Sequence, residues 1–404
     1  MNVHSEVVTR PPLMSERRVS LIGALMVAVG PVSMALFTPA MPEIVHAFGT
    51  TEAAVKLTLS LYFAGFAFAQ LVCGPLSDGF GRRPVTIAFM AIFLAASVMA
   101  LLAPNIHVLI AARFLQGVGA AVGLSVSRAL VRDLFTHESS ARILNLIGII
   151  LAIGPAVSPT LGGVTMELFG WHSVFVLMLA MGLAVMLTAV FAMKETIIRD
   201  LGRIRPAALI RSYGSLLTSP YFMFSSLVVA GTAGAIYAQA TVLPFVLIGR
   251  VGLTPTQFGI GMLAQTLSYL AGSLVARRLM GRVGAFALVP VGLVFVGIGA
   301  TAMGVSLRTI EPSYLSVMGP VALFAFGIAF AMPAMMTAAM APFPRNAGAA
   351  SAMMGFLQMG TGLAGGLFCA VIGDPVVGLA TVVPCLGAMA IVSWLLWRRL
   401  PAPA

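Results

Sequence analysis

Long apolar runs alternate with short polar breaks along almost all of the 404 residues. The runs are about 20 residues each, the length a helix needs to cross a bilayer core of roughly 30 Å. Twelve can be read, near 19–41, 55–74, 84–103, 106–127, 143–166, 172–193, 220–248, 257–275, 285–306, 313–341, 349–372 and 376–397. Within hydrocarbon the backbone must satisfy its own hydrogen bonds, which leaves helices as the structure of runs this long. The pattern predicts an all-α membrane protein of about twelve transmembrane helices.

Composition fits. Hydrophobic residues make up 60% of the chain and charged ones only 9%, against about 25% charged in soluble domains. The net charge of +11 would suggest nucleic acid in a soluble protein; here its placement says otherwise. With the amino terminus inside, 18 basic residues fall on cytoplasmic tails and loops: Arg10, Arg17, Arg18, Arg82, Arg83, Arg132, Arg142, Lys194, Arg199, Arg203, Arg205, Arg211, Arg277, Arg278, Arg282, Arg345, Arg398 and Arg399. Only Lys56, Arg250 and Arg308 fall on the opposite loops. This bias orients the protein with both termini cytoplasmic, so the charge is an address and no nucleic-acid partner is expected. The first run is too long for a signal-peptide core and lacks a cleavage site, so it reads as a retained helix. The three cysteines, Cys73, Cys369 and Cys385, sit in or beside apolar runs as small hydrophobes. No residues have metal-ligand spacing, and no cofactor is implied.

The longest polar break, 194–215, follows the sixth run. It divides the chain into a cytoplasmic tail (1–18), an N-terminal six-helix bundle (19–193), a cytoplasmic linker (194–215), a C-terminal six-helix bundle (216–397) and a short tail (398–404). A faint repeat at an offset of 200 places Gly81 and Arg82 on Gly281 and Arg282, with Asp78 on Arg278. Duplicated six-helix halves, with a substrate site between them near the bilayer midplane, are the expectation.

Three motifs carry candidate chemistry. Residues 74–84, GPLSDGFGRRP, form a charged elbow between the second and third runs. Either its charges are simply solvated or they make a conformational latch of Gly74, Asp78, Gly81, Arg82, Arg83 and Asp133. In the latch, Asp78 caps a neighbouring helix amino terminus and Arg82 pairs with Asp133. Residues 113–121, RFLQGVGAA, put Arg113, Gln116, Gly117 and Ala120 on one helical face. A guanidinium at this depth costs at least about 3 kcal/mol unless it meets protein or water, so this face is expected at an internal cavity or a polar partner. Residues 148–163, GIILAIGPAVSPTLGG, offer Gly148, Ala152 and Ala156 as a flat packing face and Pro155 and Pro159 as helix benders. The 25 methionines are expected mostly to pack or face lipid, although thioethers can also line an adaptable pocket. Deep polar or aromatic residues are the cavity candidates: Met34, Tyr62, Arg113, Gln116, Tyr237, Gln239, Gln265, Tyr269 and Gln358.

The GxxxDxxGRR elbow resembles the signature loop of the major facilitator superfamily, although Gly79 stands where the family usually has arginine. The 113–121 block resembles the fourth-helix motif of its drug antiporters. Gly154, Pro155, Pro159 and Gly162 are similar to the fifth-helix motif of its export branch. GPVSMALFTPAMPEI (30–44), YAQATVLPFVLIGRVGLTPTQFG (237–259) and RNAGAASAMMGFLQ (345–358) are similar to the bicyclomycin and chloramphenicol resistance group of drug:proton antiporters. The resemblance implies the facilitator fold. It also implies efflux of small amphiphilic substrates across a bacterial inner membrane, with protons as the coupling partner and the monomer as the working unit. One position departs: Ala35 replaces the acidic residue typical of that group, and no carboxylate lies in the middle of any run. A facilitator or symporter for one metabolite, and a non-transporting membrane receptor or scaffold, remain alternatives. No GxxxxGK[ST] loop points to an ATP-driven pump, and no enzymatic site is expected.

Overall fold

A computed structural model describes residues 13–135, 137–200, 204 and 206–401. Twelve helices in it are long and apolar enough to cross a membrane. In chain order the spans are Glu16–Ala47, Glu52–Phe80, Arg82–Leu101, Ile106–Leu134, Glu138–Phe169, His172–Ala192, Pro220–Ala240, Pro255–Val283, Phe286–Thr309, Tyr314–Met340, Ala347–Ile372 and Pro375–Trp397. Many begin at a polar side chain that takes an otherwise unmet backbone N–H. Thr51, Asn105, Thr254 and Asp374 do so for the second, fourth, eighth and twelfth spans. The break after the sixth span is not wholly irregular, since Pro206–Leu217 forms a further helix. Its Tyr213 hydroxyl donates to the Leu71 carbonyl at 2.6 Å, and burial pushes the Tyr213 pKa up. Arg10, Arg203, Arg205 and the last three residues lie outside the described residues, as do the side chains of Arg345 and Ala152.

The helices form two six-helix bundles. In the first, span one packs on span five, span two on span four, and span three on spans four and six. The second repeats this with spans seven and eleven, eight and ten, nine and ten, and nine and twelve. The bundles meet where span two lies against span eleven and span five against the start of span eight, a pair of contacts exchanged by the same pseudo-twofold relation. Separate hydrophobic cores fill the two bundles, one around Phe63, Phe93 and Phe175, another around Val296, Met303 and Phe324. Outward faces carry bare apolar side chains such as Leu21, Phe68, Ile153, Phe191, Leu274 and Val371. On a protein with so few charges, that surface suits lipid.

The internal repeat is real, but its register differs from the expected one. Every described glycine with positive φ lies between two spans, and the six form three pairs: Gly49 with Gly252, Gly81 with Gly284, and Gly170 with Gly373. Each pair is separated by the same 203 residues. The counterpart of Gly81 is therefore Gly284 (φ 108° and 83°), not Gly281, which lies inside the eighth span. The backbone turn demands a residue free to take positive φ, and that requirement fixes the alignment better than chance arginine matches.

Candidate functional site

A cavity of about 350 Å³ lies between the bundles, lined by spans one, two, four and five of the first and seven, eight, ten and eleven of the second. Among the expected residues, Met34, Tyr237, Gln265, Tyr269 and Gln358 line it, as does Pro155. Gln239 lines a smaller adjoining space of about 100 Å³ and donates to Gln265 Oε1 at 2.9 Å. Five methionines, Met34, Met332, Met336, Met354 and Met359, form much of the apolar wall. They are the minority of the 25 methionines for which the pocket role left open by the sequence applies. A groove of about 610 Å³ beside Val294, Ile298 and Ile391 lies on the lipid-facing surface instead.

Among the cavity residues not anticipated from the sequence, Gln70 and Arg128 bear most on its chemistry. Gln70 sits where the second and eleventh spans approach so closely that a Cβ on Gly355 would strike its amide. Arg128, in the fourth span, is exposed to the cavity and donates from Nη1 to Ser351 Oγ at 3.1 Å, across from one bundle to the other. It follows Ala120 by eight residues and Leu124 by four, and both line the cavity. A face read every four residues from Ala120 would have reached it.

Arg113, Gln116 and Tyr62 lie elsewhere. All three are buried inside the first bundle and none lines the cavity. The Arg113 guanidinium lies over the rings of Phe37 and Tyr62, at 4.3 and 4.5 Å from their centroids. Its Nη1 donates to Gln116 Oε1 at 2.8 Å, and Gln116 Nε2 donates to Ser97 Oγ at 2.9 Å. The Tyr62 hydroxyl donates to the Gly30 carbonyl at 2.8 Å. Two desolvated ring faces at up to about 2 kcal/mol each and a charged hydrogen bond at about 1.5–3 kcal/mol offset part of the burial cost, while Nε and Nη2 of Arg113 have no hydrogen-bond partner among the described residues. The cation is enclosed by protein and does not face the cavity.

At the elbow, Arg82 is buried and central. It pairs with Asp78 one turn earlier, donates from Nε to Asp133 Oδ2 at 3.0 Å and from Nη1 to Ser77 Oγ at 2.7 Å. The expected Arg82–Asp133 pair is present. The expected capping role of Asp78 is not, because Glu195 takes that position. Its carboxylate accepts from the backbone N–H groups of Arg82 and Arg83 at 3.0 and 3.2 Å, at the amino terminus of the third span. Asp78 is held one turn back by Arg82, whereas Glu195 follows the sixth span onto the positive helix end. Arg83 donates to the Ala189 and Val190 carbonyls at the end of span six. Gly81 needs its glycine twice over, for a φ of 108° and because a Cβ would meet the Glu195 carboxylate. Gly74 faces open space, and its carbonyl accepts from Ser77.

The fifth span packs through a different stripe from the expected one. Gly148 meets nothing, whereas Gly154 approaches Val32 and Gly162 approaches the Leu36 backbone of span one. Ala156 lines the cavity. Pro159 borders the smaller space and abuts Gly259 of span eight, just as Gly163 abuts Pro255. The bundles are sealed here, at the end away from the termini. Glu167 accepts from Thr256 N and Oγ1 at 2.9 and 2.7 Å, at the start of span eight. Lys56, expected on a loop, is fully buried within span two; its Nζ donates to the Gly373 carbonyl at 3.2 Å, pairs with Glu52 at 3.2 Å and lies 5.1 Å from the Phe245 ring. An acid from the first bundle thus holds a helix amino terminus of the second, and a base holds a carboxyl terminus. Both follow the helix dipole.

The described spans and the cavity between two bundles agree with comparisons to known proteins. The family model of the Major Facilitator Superfamily matches residues 23–359. An MFS-type transporter of Bacillus subtilis, YdgK, is 30% identical over 380 residues, covering 92% of this chain and 91% of that protein. Multidrug resistance protein D of Escherichia coli is 28% identical over 384 residues, covering 93% and 94%. Among solved structures, a D-xylose-proton symporter superposes with a TM-score of 0.73 at 13% identity, over 96% of this chain and 98% of that one. Such a likeness speaks for the fold alone. The chain is a multi-pass membrane protein and belongs to the major facilitator superfamily.

Proposed function

We propose that the protein is a secondary exporter of amphiphilic small molecules, energised by the proton motive force across a bacterial inner membrane, with both termini cytoplasmic. The observation that carries this reading is the cavity: about 350 Å³ between two bundles, walled by methionines and aromatics with a few convergent amides and phenols. Thioethers repack around varied ligands, and a volume in this range suits a drug-sized molecule. Relatives named multidrug resistance proteins support the choice of substrate. The fifth-span motif favours export over uptake, and the bicyclomycin and chloramphenicol resistance group is the branch it resembles most.

With the termini inside, the cavity belongs to an inward-facing state whose outer end is shut by Glu167, Lys56 and the close crossings of spans five and eight. Alternating access then means breaking this seal and closing the cytoplasmic side around the elbow. The deciding experiment is drug accumulation in an efflux-deficient host. Expression should lower the intracellular level of a fluorescent amphiphile, and a protonophore should restore it. Equal accumulation with and without the protein, across a panel of amphiphiles, would refute the proposal.

A further inference from the structure

The described carboxylates lie in helix-end or loop segments, and none of them lines the cavity. Glu6 alone among the chain's carboxylates falls outside the described residues. Away from the elbow and the Lys56 seal, two arginines among the described residues are buried or line the cavity. Arg113 is enclosed by protein, whereas Arg128 lines the cavity. Among the described residues, Arg128 has one hydrogen-bond partner, the neutral Ser351 hydroxyl, and no carboxylate within ion-pair distance. A guanidinium offers five donors in a planar fork that matches a carboxylate. In a partly desolvated cavity, an unpaired cation draws an anion more strongly than it would in water.

Building on the exporter reading, we infer that Arg128 sets the substrate class: the cavity takes amphiphiles that carry one anionic group, such as a carboxylate, beside an apolar body. The anion sits on Arg128 next to Ser351, and the apolar part lies against Met332, Met336 and Phe66. The position also links binding to movement. The Arg128–Ser351 hydrogen bond crosses between bundles, so an anion that engages the Arg128 fork competes with the bond and acts on the interface that must rearrange. An anionic substrate also removes the need for a proton-carrying acid. An inside-negative potential drives one negative charge outward by a factor of about 50 per 100 mV, which is consistent with Ala35 standing where the resembled group has an acid.

The test uses the purified full-length chain and three probes that share one apolar body: a naphthylbutanoate, the matching primary amide and the matching amine. A charge-assisted hydrogen bond predicts about tenfold or more tighter binding of the carboxylate than of the amide, with the amine weakest. In Arg128→Gln the carboxylate-to-amide ratio should fall to near unity, and Arg128→Lys should restore part of it. The ratio is internal to each sample, so partial misfolding weakens both probes alike and leaves it unchanged. A wild-type ratio near one, a preference for the amine, or a ratio unaltered in Arg128→Gln would overturn the assignment. In vesicles preloaded with probe, a valinomycin-imposed inside-negative potential should speed carboxylate release and leave amide release unchanged. Carboxylate release insensitive to potential would overturn the driving force. If no probe leaves faster than from protein-free vesicles, the exporter reading fails, while the binding ratios still judge Arg128 independently.

Discussion

The two interior arginines show how far a few ångströms of placement change a residue's role. Arg113 spends its charge on Phe37, Tyr62 and Gln116 inside one bundle, so its substitution should be felt first as stability. Arg113→Ala would leave Gln116 and a side-chain-sized void behind, at a cost of about 2–4 kcal/mol. The expected outcome is a clear fall in melting temperature in detergent, and lysine should recover only part because it lacks the flat guanidinium. An unchanged melting curve with lost export would move Arg113 back into the transport pathway. Gly81 is the other single-residue test. Its alanine variant must adopt an unfavourable φ, costing about 1–2 kcal/mol, and displace Glu195 from the helix end it caps. Faster proteolysis between spans two and three is the expected sign.

At the level of elements, the two ends of the molecule are closed by opposite arrangements. The elbow joins helix ends within the first bundle, gathering spans two, three, four and six around Arg82 and Glu195. Asp78→Asn and Arg82→Ala should each slow transport while leaving membrane insertion intact. Arg82→Ala combined with Asp133→Asn should be less than additive, because the two residues touch. Fully additive rates would remove the Arg82–Asp133 contact from the conformational change. The far seal joins different bundles. Removing its two charged contacts to helix ends, as in Glu167→Gln with Lys56→Met, should favour opening at that end. A cysteine placed at Thr38, which borders the smaller space, would report this in a background lacking the three natural cysteines. Labelling by a membrane-impermeant thiol reagent from the outer side should quicken several-fold. No change in labelling would remove Glu167 and Lys56 from the gating scheme.

For the whole molecule, topology and symmetry make the prediction. A reporter fused after Arg399 and active only in the periplasm should stay silent, and activity there would reverse the assigned orientation. The pseudo-twofold relation between the bundles shows in the exchange of span two on eleven with span five on eight, and in the three glycine pairs at a common spacing. Relative motion of two bodies about a central cavity is the movement such an arrangement permits.

The sequence by itself determined the twelve spans, their all-helical character and the bias of basic residues toward one side. Each is a property of chain length, hydropathy and charge that no tertiary contact needs to supply. It also offered the Arg82–Asp133 pair, beside a solvated elbow, and the structure decided between the two. Only the tertiary structure decided which polar residues share a cavity. Helical periodicity puts Arg113 and Gln116 on one face but does not say whether that face meets a cleft or aromatic rings. Phe37 and Tyr62 come from two other spans. Nor does periodicity show that Arg128 reaches the cavity, that Glu195 returns to cap a helix over a hundred residues earlier, or that Lys56 is buried against Gly373. These roles rest on contacts between segments far apart in the chain. Local pattern sets each helix and its faces, and packing among helices sets what each face meets.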